Sequence, residues 1–237
     1  MCERLKITFL ESLLRGFSQS ELPQLILKGI ANASRDYLKS NDGWLWRAPE
    51  YWVTVSIAKE LMRGIGGNKR VVTLETTVSS TLLSAGATQR GPKKASLRAN
   101  GLFDIVVGQG NERPRAVIEV KSPLVDSKPN RGVLKDFDRL VSTLKHGHTK
   151  SNISCAIFAF YADLGQPMRS DATAKSKILR KFGLNQEFHD HINFYADEHS
   201  VHTDYYVSKI QDEGEDGARI WGCVVFTRLK KLPTKQT

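Results

Sequence analysis

Apolar residues at helical spacing dominate the first third of the chain. Leu5, Phe9, Leu13 and Leu14 share one face of a first helix. Ser18 or Ser20 can cap a second, with Leu22, Leu25, Ile26 and Ile30 turned inward. Pro49 is placed for the first turn of a third helix running to about Arg63, which Gly64, Gly66 and Gly67 end. The pattern then changes period. "VVTLETTVSSTLL" (71–83) is rich in β-branched residues and predicts a strand. "LFDIVVG" and "AVIEVKS" predict two strands of a hairpin about the turn "QGNERPR". "RGVLKDFDRLVSTLKHG" predicts an amphipathic helix, and "SCAIFAFYA" a buried strand. Residues of about 173–197 read as helical. "VHTDYYVSKI" and "RIWGCVVFTRL" read as two strands joined by the acidic turn "QDEGEDGA".

No internal repeat or dividing linker interrupts this order. It predicts one mixed α/β domain over 1–237, with a helical N-terminal extension. Within it, 1–45 form a helical extension, 48–162 the core, and 165–237 a C-terminal helix and strand pair.

Composition adds a bias in charge. Thirty-five Lys and Arg face 25 Asp and Glu, a formal net charge of +10, which suits an anionic partner such as nucleic acid. Cys2, Cys155 and Cys223 are odd in number, far apart and without metal-site spacing, so a reducing, cytoplasmic setting is expected. Lys6 and Glu11 break any signal-peptide core in the N-terminal segment. No apolar run approaches membrane-spanning length, so no membrane partner is expected.

The strand "RAVIEVKSPL" (115–124) carries the chemistry. Glu119 and Lys121 interrupt an otherwise apolar run two residues apart, which puts them on one face of the strand. Asp104 interrupts the preceding strand in the same way. Pairing of the two strands brings Asp104 beside Glu119. Two adjacent carboxylates repel unless a cation or proton intervenes. Hard oxygen donors suit Mg²⁺ or Mn²⁺. A neighbouring lysine can orient a water or steady developing phosphate charge.

Asp104, fourteen intervening residues and then Glu119-Val120-Lys121 resemble the signature of the PD-(D/E)xK nuclease superfamily, which implies a restriction-endonuclease-like α/β fold, a mixed central sheet flanked by helices. The resemblance covers about residues 48–162, including the following helix and strand, and departs at Phe103, where that family often has Pro. A bare acid-x-Lys is common, and "DSK" (126–128) also matches, in a Pro-containing loop. The resemblance implies a Mg²⁺-dependent deoxyribonuclease. Asp104, Glu119 and the Val120 carbonyl would hold the metal, and Lys121 would position water or stabilise the transition state. Glu50, at the start of the upstream helix, would add an acid. Glu60 is its rival but falls on the more polar side of that helix. A homodimer, with one site per DNA strand, is a further implication. The alternative is the same fold used as a non-cleaving nucleic-acid-binding or interaction module.

Other features are weighed against plainer readings. Arg90, Lys93, Lys94 and Arg98 lie without an acid in a Gly/Ala/Ser-rich loop, placed to close over a DNA backbone. Lys135 and Arg139 share a face of the helix after Glu119, and Lys145 ends it; a solvated face is expected there. The pairs His146/His148 and His189/His191 lack zinc-site spacing. "GIGGNK" (64–69) follows a helix and reads as a turn. Trp44, Trp46, Tyr51 and Trp52 are expected to pack in a core.

Overall fold

The computed structural model of the chain describes residues 21–41, 45–64, 70–87, 97, 101–109, 113–146, 151–164, 174–182, 186–212 and 217–229. Helix α1 (Glu21–Asn41) buries Leu22, Ile26, Ile30 and Ala33, one stripe at helical spacing. It packs on α2 (Glu50–Gly64), whose Val53, Ile57, Ala58 and Leu61 are buried. The two backbones meet at Gly29, where a Cβ would stand 2.6 Å from Ile57 Cα.

The expected single strand over 71–83 is corrected. β1 (Arg70–Thr77) gives way to a short helix, α3 (Val78–Ser84). Thr77 is the cause: its backbone is extended and its Oγ1 accepts the Ser80 N–H at 3.2 Å, capping the turn. Val78, Thr81 and Leu82 then bury on one side at helical spacing. The β-branched composition was misleading there because a cap and a buried helical face outweigh propensity.

β2 (Leu102–Gln109) and β3 (Arg113–Lys121) form the expected antiparallel hairpin. Asn130 starts α4 (Arg131–Lys145) by accepting the Gly132 and Val133 N–H groups at 2.9 and 3.1 Å. This helix crosses over to β4 (Cys155–Leu164), which pairs parallel with β3. The stretch read as helical near 173–197 is two helices, α5 (Ala174–Phe182) and α6 (Glu187–Glu198). β5 (Val201–Val207), β6 (Gln211–Asp212) and β7 (Ala218–Arg228) follow.

The strands make one mixed sheet of order β1-β2-β3-β4-β7-β5, with β6 also on β7. α1 and α2 cover one face, over Ile105, Ile118, Ile157 and Tyr161. Helix α1, from the expected N-terminal extension, and α2, from the expected core, together form this layer. On the other face Phe158, Phe160 and Phe226 pack against Phe137 of α4 and residues of α3, α5 and α6. β4 is buried on both faces, which is why its sequence is continuously apolar. Among the described residues, no helix is long and apolar enough to cross a membrane. Cys155 and Cys223 are buried free thiols.

Candidate active site

The register pairs Ile105 with Ile118, and the next step along the hairpin sets Asp104 opposite Glu119. The backbone ladder stops at that step. Asp104 Oδ2 accepts the Val120 N–H at 2.6 Å, so a side-chain carboxylate takes the place of a backbone acceptor. On the other side of β2 the pairing with β1 skips Glu75, which has φ of 48° and falls between the pairs Leu74–Ile105 and Thr76–Phe103. The sheet is therefore irregular on both sides of Asp104, and the carboxylate emerges at the hairpin's open end.

Glu119 is 4% exposed. Its Oε1 accepts from Arg139 Nη1 at 2.7 Å. The same nitrogen donates to the Leu102 carbonyl at 2.8 Å, and Nη2 donates to Asp136 Oδ1 at 3.1 Å. One guanidinium thus ties the start of β2, the end of β3 and helix α4 together. The expected solvated face of α4 is corrected for this residue. Lys135 and Lys145 are exposed, whereas Arg139 turns inward beside Phe137 and Leu140, whose burial sets the rotation of the helix.

Lys121 takes a different partner. Its Nζ lies 3.3 Å from Glu50 Oε2, which also accepts the Ser122 N–H at 3.0 Å. Glu50 stands in the first turn of α2, where an acid complements the helix dipole. Strand alternation places Glu119 and Lys121 together; the structure divides them between α4 and α2, with Asp104 between. Glu60 does not join them. It is buried rather than on a polar side, paired with Lys28 at 2.8 Å and Arg63 at 2.9 Å.

Four carboxylates, Glu50, Asp104, Glu119 and Asp136, thus act on one another and face two cations, Lys121 and Arg139, an excess of two negative charges when all are ionised. Burial pushes the Glu119 carboxyl well above its ordinary range; Arg139 opposes this, and Asp104 and Asp136 add to it. Asp104 is raised by burial, against the Val120 N–H, and raised further by Glu50. Asp136 is raised by burial, against Arg139 and Lys121. Partly desolvated oxygen donors with this surplus of negative charge fit a hard divalent cation. No group of three His, Cys, Asp or Glu among the described residues is arranged as a ready-made metal cage. Glu119 faces Arg139 and Asp104 faces the Val120 N–H.

Asp136 was not among the residues singled out from sequence. Its signal was its spacing, three positions before Arg139 on one helical face. Arg90, Lys93, Lys94 and Arg98 lie outside the described residues, as do His148 and Trp44. His146 is buried at the end of α4, while His189 contacts Asn193 and Tyr205, beside β5. The expected aromatic core is corrected for Tyr51 and Trp52, which are 50% and 38% exposed. Trp52 still joins α2 to α1, donating to the Ala33 carbonyl at 3.1 Å and meeting Tyr37 edge-on.

No family model, curated protein or solved structure matches this chain.

Proposed function

We propose that the protein is a Mg²⁺- or Mn²⁺-dependent nuclease of the restriction-endonuclease-like fold, hydrolysing phosphodiester bonds in DNA. One observation carries the reading. Asp104 and Glu119 occupy opposite positions on adjacent strands at the open end of a hairpin, with Lys121 two residues on and Glu50 joined to it. The order hairpin, helix, parallel strand agrees with the fold of the PD-(D/E)xK nucleases.

In this reading Asp104 and Glu119 hold the cation, with the Val120 carbonyl at the same level of β3 and Glu50 beyond Lys121. Bound there, the cation supplies Lewis-acid stabilisation of phosphate charge and a more acidic water. Lys121 presents its ammonium to the attacking water or the scissile phosphate, held in place by Glu50. The net charge of +10 favours a polyanionic substrate. Arg90, Lys93, Lys94 and Arg98 would add contacts to its backbone. A pair of chains would supply one site per strand of a duplex.

A second reading is favoured by the ion pairs themselves. Arg139 on Glu119 and Lys121 on Glu50 give both carboxylates a cationic partner from the chain itself, which suits a non-cleaving DNA-binding module on the same fold. Cleavage of plasmid, duplex and branched DNA with Mg²⁺, Mn²⁺ or chelator separates the two. Metal-dependent cutting that disappears in Lys121→Ala and Asp104→Asn supports the nuclease. DNA binding without cutting, indifferent to metal, supports the module.

A further inference from the structure

We propose that Arg139 is an internal competitor for the divalent cation: its guanidinium holds Glu119, and Glu119 becomes a ligand only when Arg139 lets go. The inference rests on the reading of Asp104 and Glu119 as cation ligands.

Four observations carry it. Arg139 Nη1 sits 2.7 Å from Glu119 Oε1, a carboxylate with almost no access to solvent. The guanidinium therefore stands where a second positive charge bound by Glu119 would be repelled at short range. Arg139 also has somewhere to stay. Asp136 holds Nη2 at 3.1 Å from the same helix, so release of Glu119 leaves the cation paired. The Arg139 side chain is 23% exposed, which gives its head a path toward solvent or a substrate phosphate. Glu119 itself sits on a strand buried on both faces, with its side chain only 5% exposed. We therefore assign the movement to Arg139, which gives up the Leu102 carbonyl, held by the same Nη1 at 2.8 Å, together with Glu119.

The consequence is a threshold on cation binding that the bare acid pair would lack. Removing the guanidinium should tighten binding while the acids stay in place. The experiment is titration of the metal-free full chain with Mn²⁺ in the absence of DNA, reading free Mn²⁺ by electron paramagnetic resonance. Arg139→Gln should bind Mn²⁺ at least about tenfold more tightly than wild type, by relief of like-charge repulsion. Arg139→Lys should fall between, because lysine keeps the charge and loses the fork. Adding Asp104→Asn to Arg139→Gln should cancel the gain.

Equal or weaker binding by Arg139→Gln, with Asp104→Asn still abolishing it, overturns the competitor role and leaves the cation site standing. Absence of Mn²⁺ binding in wild type and both Arg139 variants overturns the competitor and the cation site together. If Arg139→Gln does not fold, Arg139→Lys decides. Tighter binding than wild type supports the competitor, and unchanged or weaker binding overturns it.

Discussion

Asp104 Oδ2 accepts the backbone N–H of Val120 at 2.6 Å, so the acid on one strand of the hairpin is fixed by the strand that carries Glu119 and Lys121. The geometry of the acid pair is thus set by the sheet itself. An amide at position 104 keeps an oxygen that can take the same N–H.

Asp104→Asn should therefore fold while losing cleavage. The expected drop is at least about a hundredfold, the upper end of what loss of a mere supporting partner costs at a metal site. Plasmid nicking and a thermal melt of the same preparation check this. A variant that melts like wild type and still cuts would remove Asp104 from the site.

Lys121 and Glu50 should separate by magnitude. Lys121→Ala should slow cleavage about 10²–10³-fold, as loss of one charge-stabilising donor does. Glu50→Gln keeps an acceptor for Ser122 but loses its charge on Lys121. It should cost about 10–100-fold, the range for residues that act through another. Neither change should move stability by more than about 1 kcal/mol, since both side chains are about a third exposed. Single-turnover rates on one duplex compare them.

Glu60→Gln is the matched control on the same helix. Its carboxylate is buried and, among the described residues, pairs with Lys28 and Arg63, both largely exposed. Cleavage should stay at the wild-type rate. Stability should fall by about 1 kcal/mol, or roughly 2–4 °C in Tm. A loss of cleavage at unchanged Tm would make Glu60, and not Glu50, the upstream acid.

Cation and proton should compete for the site. Asp104, Glu119 and Asp136 are all raised in the folded protein. Their stabilising effect is complete below the ordinary carboxylate range and is lost as pH rises through the folded values. Asp163, pushed up to about 6 by burial, acts in the same direction and loses its share as pH rises toward 6. With chelator present, Tm should therefore fall less steeply with rising pH in Glu119→Gln than in wild type, over about pH 5–8. Mn²⁺ at ten times its Kd should raise the wild-type Tm at pH 8 by about 3–6 °C. The gain should shrink toward pH 5 and be absent in Asp104→Asn and Glu119→Gln. A shift that ignores pH and survives both substitutions would place the cation elsewhere.

The sequence by itself determined the parts that depend on local periodicity. Alternation along β2 and β3 exposed Asp104, Glu119 and Lys121 as charges in apolar runs, and the hairpin register follows from that alternation. The continuous apolar run of β4 announced a strand buried on both faces. Tertiary structure decided what local pattern leaves degenerate. Residues 71–77 are rich in β-branched side chains and Val78 and Thr81 continue them, yet the Thr77 cap and a buried helical face turn the second half of 71–83 into α3. Helix α4 has Lys135, Asp136, Asp138, Arg139 and Lys145, any of which could face water. Packing of Val133, Phe137 and Leu140 on the sheet fixes its rotation and turns Asp136 and Arg139 toward Glu119. Glu50 and Glu60 are both acids on α2. The one beside the end of β3 meets Lys121, and the one covered by Lys28 and Arg63 does not. A strand's period of two reports which side a residue is on, but the partner on that side comes from elements far along the chain, and only the packed fold brings them into contact.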